Sequence, residues 1–164
     1  MFIGLDLGTS HLKGIVIDDA QNVCAEASVS LSLMRPKNGW SEQNPQDWLD
    51  ATENVMASLA NKVNLKKVNA IGLSGQMHGA TLLDKNDNVL RPCILWNDTR
   101  SAEEASYLDS KTIFRNLTGN IVFPGFTAPK LAWVRKHEPN IFEKISKVLL
   151  PKDYLRLWLC GEYV

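Results

Sequence analysis

Apolar residues come in short, closely spaced runs at the start of the chain. Phe2, Ile3, Leu5 and Leu7 form one run of buried-strand length, and Leu12, Ile15, Val16 and Ile17 form a second that ends at Asp18-Asp19. Gly8-Thr9-Ser10 lies between them, so the pattern predicts a β-hairpin with one acidic residue, Asp6, set in an apolar strand. Val23 to Leu33 reads as a third strand, and Arg35 to Ser41 as a loop. Asn44 can then cap a helix that has Pro45 at its first position and Asp47 in its first turn. Trp48, Ala51, Val55 and Leu59 recur at helical spacing, which assigns that face, Trp48 included, to the core.

Further on, Val68 to Ser74 has the composition of a buried strand and runs into the glycine-flanked turn Gly75-Gln76-Met77-His78-Gly79. Ala80–Asp84 and Val89–Arg91 flank a hairpin turn, and Ile94–Trp96 is another apolar run. Asp98 is placed as an N-cap for a helix with Ala102, Ala105 and Leu108 on one face. Residues 117–127 read as an irregular loop with Phe126 exposed. Pro129 is expected to open a helix that turns Leu131, Trp133 and Val134 toward the core, with Lys130 a solvated surface residue. Pro139 starts a short helix, Val148–Leu150 is a last strand, and Pro151 begins an amphipathic helix through Tyr154, Leu155 and Trp158, with Gly161 as its C-cap. Strand, strand, strand, helix, strand is the order of a mixed α/β sheet with helical cover.

Composition narrows the class of function. The 164 residues suffice for one domain with a real core, and 45% hydrophobic with 22% charged residues is ordinary for a globular protein. Lys plus Arg and Asp plus Glu both number 18, so nothing points to nucleic acid or an anionic membrane as partner. No apolar run approaches membrane-span length and no signal peptide precedes Phe2. Cys24, Cys93 and Cys160 fit neither a zinc pattern nor a disulfide framework, so a cytoplasmic location is the expectation. His11, His78 and His137 are too scattered to read as a metal cluster.

Two stretches carry candidate chemistry. A carboxylate in an apolar strand is costly unless it is paired, hydrogen-bonded or facing a metal. Beside Asp6, the backbone N–H groups of Gly8, Thr9 and Ser10 could cradle an oxyanion, the arrangement expected for a Mg²⁺-bound polyphosphate. The alternative is a simple hairpin turn with Asp6 at a strand edge. By analogy with open α/β sheets, Gln76, Met77 and His78 sit beyond a strand's carboxyl end, at the mouth of a cleft. The cluster Trp96-Asn97-Asp98-Arg100 offers an aromatic wall and hydrogen-bonding side chains, which suits a polyhydroxylated sugar. Asp98 is open between capping and sugar contact, and His78 between a ligand and a turn histidine.

Gly4-Leu5-Asp6-Leu7-Gly8-Thr9-Ser10 resembles the first phosphate motif of the actin, Hsp70 and sugar-kinase superfamily. Gly72 to Gly79, Ile94 to Arg100, Pro124 to Lys130 and Leu149 to Arg156 resemble blocks of the FGGY carbohydrate kinases, in particular those that phosphorylate D-xylulose. The five blocks cover essentially the whole chain in order. The resemblance implies a ribonuclease-H-like fold: a mixed five-stranded sheet with helices on both faces, and a small inserted β-hairpin and helical sugar-binding region. It implies that residues 1–164 are the N-terminal domain of an ATP-dependent kinase making D-xylulose 5-phosphate, with the catalytic base and adenosine site in a C-terminal domain. Carried over by position, Asp6 would hold Mg²⁺, while Gly8, Thr9, Ser10 and, more remotely, Lys13 would serve the ATP phosphates. Met77 and His78 would contact the ketose with Gln76 supporting their loop, and Trp96, Asn97 and Asp98 would form the sugar's wall and edge. His11 departs from the glycine that relatives often carry. The expectations that follow are an inactive isolated chain and self-association into a homodimer through the face left without its partner domain. The alternatives are a non-catalytic sugar-binding module or remnant of a truncated gene, a ribulose or glycerol kinase, and a nucleotide-binding filament or chaperone-like relative. The last is disfavoured by the Met77-His78 and Trp96-Asn97-Asp98 blocks.

Overall fold

The computed structural model describes residues 1–163, and within them the N-terminal hairpin forms as the alternation predicts. Strand β1 (Phe2–Leu7) pairs antiparallel with β2 (His11–Ile17), and β2 with β3 (Val23–Ser30). Downstream come the short β4 (Glu42–Gln43), helix α1 (Pro45–Ala60) and a 3₁₀ turn at Leu65–Lys67. Strand β5 (Ala70–Gly75) follows and joins β1 in parallel, which gives a mixed sheet ordered β3-β2-β1-β5. The remaining elements are β6 (Thr81–Leu83), β7 (Cys93–Ile94), α2 (Ala102–Asp109), α3 (Thr112–Thr118), α4 (Thr127–His137), α5 (Pro139–Phe142), β8 (Lys147–Leu149) and α6 (Pro151–Cys160). They fall into two units. One holds residues 1–33, 45–76 and 152–164; the other holds 34–44 and 77–151.

In the first unit, Ile3, Leu5, Leu7, Leu12 and Val16 point to one face of the sheet and are almost completely buried. Helix α1 covers this face with Trp48, Ala51, Val55 and Leu59, the stripe its spacing predicts. The approach is close enough to require a glycine in β2: a Cβ on Gly14 would lie 2.4 Å from Val55 Cγ1. Helix α6 lies on the same side. Its Tyr154 ring meets Trp48 edge-on at 6.3 Å, and a Cβ on Gly75 would come within 3.3 Å of Lys152 Cβ.

Two features differ from expectation. The sheet has four strands rather than five, and β8 lies outside it, paired antiparallel with β6. Helices cover one face rather than both. The other face carries Phe2, Gly4, Ile15, Ile17 and Ala70 toward one end and Asp6, Lys13, Ser28 and Ser74 toward the other; Phe2, Asp6, Lys13, Ser28 and Ser74 are exposed there.

The second unit is built on two short antiparallel pairs, β4 with β7 and β6 with β8. Ala80, Leu82, Ile94, Trp133 and Val134 form its core. Three local predictions shift. Helix α2 begins at Ala102, so Asp98 is not its N-cap. Helix α4 begins at Thr127, two residues before Pro129. Helix α3 occupies a stretch to which the pattern assigned no element, and Gly119 ends it in the left-handed conformation at φ 67°.

Candidate functional site

The hairpin turn, Gly75 and Gln76 belong to one unit and Met77, His78 and Gly79 to the other, and each unit carries its own candidate site. At the hairpin, Asp6 is exposed and stands opposite Lys13 on β2 and Ser74 on β5. The Gly8 N–H, expected to face a phosphate, instead closes the turn by donating to the His11 carbonyl at 3.0 Å. Gln76 braces this turn. Its backbone N–H donates to the Leu7 carbonyl (2.8 Å), its side-chain amide donates to the Gly8 carbonyl (3.4 Å), and its Oε1 accepts from Thr9 Oγ1 (3.2 Å). Ser10 is exposed, with its carbonyl accepting from the Leu31 N–H. Among the described residues, no group of three or more His, Cys, Asp and Glu side chains forms a metal cage. A lone exposed carboxylate beside a turn fits Mg²⁺, which keeps most of its waters and takes one or two carboxylates with substrate phosphates.

In the second unit, Met77, His78, Trp96, Asn97, Phe123 and Phe126 line a mostly apolar groove of about 350 Å³. Met77 is 61% exposed, Phe123 50% and Trp96 46%, an uncommon grouping of large apolar side chains in contact with water. The His78 imidazole packs against Phe126 at 4.7 Å between ring centres, and Phe126 meets Phe123 edge-on at 5.6 Å. Burial, and to a smaller extent the nearby Lys130 charge, hold the His78 imidazole below its ordinary pKa. The ring is therefore neutral near pH 7, with one nitrogen to donate and one to accept, as a hydroxyl requires.

Asp98 borders the groove, but its carboxylate is committed elsewhere. Oδ2 accepts from the Ser41 N–H (2.6 Å) and Arg100 Nη2 (2.7 Å), while Oδ1 accepts from the Arg100 N–H and Nε, both at 2.9 Å. Two donors on each oxygen fill its acceptor sites. Arg100, expected to face a sugar, is turned inward: it also reaches Glu42 Oε1 at 2.7 Å and lies 3.6 Å from the centre of the Trp40 ring. Glu42 accepts in turn from Arg91, and Arg91 pairs with Glu138. Alternating charges thus clamp the 39–42 and 98–100 loops, the scaffold for Trp96 and Asn97.

Lys130, expected on the surface, is fully buried. Its Nζ donates to the His78 carbonyl at 2.7 Å and the Gly125 carbonyl at 2.6 Å. Burial lowers its pKa to about 8, with the charge of Arg100 adding to the effect and Cys93 and Asp98 opposing it. Ser101 Oγ donates to the Pro124 carbonyl, and a Cβ on Gly125 would sit 2.4 Å from the Trp96 carbonyl oxygen, so this wall presses directly on the Trp96 backbone. Phe123 escapes the sequence patterns because an irregular loop carries no periodicity, and Thr127 and Lys130 because helical spacing does not say which polar side chains of a first turn reach a distant carbonyl.

An exposed aromatic groove beside a neutral histidine and an amide can offer both apolar faces and hydrogen-bonding groups to a small polar ligand. The model for the N-terminal domain of the FGGY family of carbohydrate kinases matches residues 1–164. The chain belongs to this family. It is 52% identical over 164 residues to the xylulose kinase of Escherichia coli K12, a match covering 99% of this chain and 34% of that protein. The crystal structure of a xyloylose kinase from Brucella ovis superposes with a TM-score of 0.96 at 60% identity, over 98% of this chain and 34% of the other. The xylulose kinase of Rhodospirillum rubrum gives 0.94 at 34% identity, covering 99% and 34%. These neighbours are sugar kinases of the actin and Hsp70 fold, as the sequence blocks imply. The chain spans about a third of the length of these FGGY relatives. Among the described residues, no helix is long and apolar enough to cross a membrane.

Proposed function

We propose that this FGGY chain supplies the sugar-binding part of a kinase that moves the γ-phosphoryl group of ATP to D-xylulose, giving D-xylulose 5-phosphate. The observation that carries the reading is the groove between Trp96, Met77 and His78. The apolar faces of Trp96 and Met77 suit the C–H side of a ketose, while neutral His78 and Asn97 present donors and acceptors to its hydroxyls. Asp98 fixes the groove's rim through Arg100 and the Ser41 N–H.

At the hairpin, Asp6 would hold Mg²⁺ through water, the turn of Gly8, Thr9 and Ser10 would face the phosphates, and Lys13 would add positive charge. Bound there, the cation would neutralise charge that builds up on the phosphate oxygens. Gln76 keeps the turn in shape. Phosphoryl transfer depends on positioning plus a group that accepts the hydroxyl proton. We assign that base and the adenosine site to a further kinase domain, as in relatives three times as long. Residues 1–164 alone are then expected to bind ketose without turning over ATP. The open sheet face bearing Phe2 is the surface proposed for self-association, with monomeric sedimentation at high concentration as the contrary result.

The test is a tryptophan-fluorescence titration with D-xylulose, D-ribulose and glycerol. Trp96 should report saturable binding of D-xylulose, and Trp96→Phe should silence the response. A response that survives Trp96→Phe, or one equal for glycerol, would overturn the reading.

A further inference from the structure

His78 holds its backbone at φ 57°, in the left-handed region that side chains other than glycine enter at a cost. Such a conformation persists only where its surroundings over-determine it. The surroundings here are two side chains of one helix. The His78 carbonyl accepts from Lys130 Nζ at 2.7 Å and from Thr127 Oγ1 at 3.2 Å. Thr127 and Lys130 are three residues apart in the first turn of α4 and so share a face. The same Lys130 ammonium also holds the Gly125 carbonyl, and Gly125 abuts the Trp96 carbonyl. One cation therefore ties the histidine wall of the groove to the loop that supports the tryptophan wall.

The arrangement is expensive for the fold. A lysine ammonium is rarely fully buried, and the positive end of a helix is an unfavourable place for a cation. Neither bond is needed to form α4, whose own ladder runs without them. A surface lysine at this position would leave the helix intact.

We propose that Lys130 and Thr127 are a positioning pair that fixes His78 in its left-handed conformation and so aims the imidazole into the groove, setting its affinity for a polyol substrate. This rests on the reading of the groove as a sugar site. Neither residue touches substrate; both act through His78.

The experiment compares wild type with Lys130→Met, Thr127→Val and the double variant, in two measurements. The first is the backbone ¹³C chemical shift of His78, which reports its φ and ψ without any ligand. The second is D-xylulose affinity by Trp96 fluorescence. Lys130→Met should move the His78 shift out of the left-handed range and weaken D-xylulose binding at least tenfold. Thr127→Val should give a smaller change in the same direction, and the double variant should be no worse than Lys130→Met. Lys130→Ala should recover affinity with propylammonium, which replaces the missing methylenes and charge. A folded Lys130→Met with wild-type shift and affinity would overturn the proposal. If Lys130→Met does not fold, an unchanged His78 shift in Thr127→Val would overturn it, and a changed one would support it. Should wild type bind no sugar, the groove reading fails, while the His78 shifts still decide the positioning role.

Discussion

Raising the pH from 7.5 should stabilise this fold, and the buried pair Lys130 and Cys93 sets how far. Burial brings the Lys130 ammonium down from 10.5 to about 8, and Asp98, Arg100, Cys93 and the His78 carbonyl surround it. The unfolded chain keeps that proton until about pH 10.5, so between the two values it binds more protons than the native state. Stability then rises with pH, by about 1.4 kcal/mol per pH unit for one proton and about 3 kcal/mol over the whole interval. Cys93 opposes it. Burial pushes its thiol from 9.0 up to about 12, so above pH 9 the unfolded chain is the form that loses a proton first. Wild type should therefore gain about 1 kcal/mol between pH 8 and 9, level off to about pH 10, and fall beyond that, where Tyr154, raised by burial, adds to the loss. Cys93→Ala removes the opposition, and its stability should keep climbing to about pH 10. Urea unfolding of both proteins at half-unit steps and constant ionic strength measures the two curves. A wild-type curve that is flat between pH 8 and 9, or identical slopes for both proteins above pH 9, would refute the reasoning.

Two substitutions probe the walls of the groove. Gly125→Ala places a methyl 2.4 Å from the Trp96 carbonyl oxygen, so it should cost about 1–3 kcal/mol in urea unfolding and weaken ketose binding as Trp96 shifts. Unchanged stability would mean the loop yields freely. Arg100→Met removes the shared partner of Asp98 and Glu42 and leaves both carboxylates short of donors. It should cost about 3–5 kcal/mol, and a loss under 1 kcal/mol would show that the clamp does not hold the rim.

The parts of this fold with a repeating pattern were readable from the sequence. Alternation in Phe2–Ile17 gives the hairpin, and the spacing of Trp48, Val55 and Leu59 gives the face of α1 that packs on it. The site residues Met77, His78 and Trp96 stand out through glycine-flanked or apolar contexts, and the structure gathers them at one groove. What pattern does not encode is the destination of a long polar side chain. Lys130, Arg100 and Asp98 look like solvent-facing or ligand-facing groups, yet long-range partners at Gly125, Glu42 and Ser41 turn them inward. Gly8 likewise looks free for a phosphate until its N–H is seen to close the turn. The partner of β8 was not legible for a related reason: the segment has strand composition, but composition does not name its partner, which is Thr81–Leu83.

The central claim is that the Met77, His78 and Trp96 groove holds a ketose. Its most direct test is a methyl-¹³C methionine spectrum titrated with D-xylulose, with Met77→Leu to assign the resonance. Met77 is 61% exposed at the groove, so its methyl signal should shift saturably with D-xylulose while those of Met1, Met34 and Met56 stay in place. No movement of the Met77 signal at saturating D-xylulose, or the same movement with glycerol, would contradict the account.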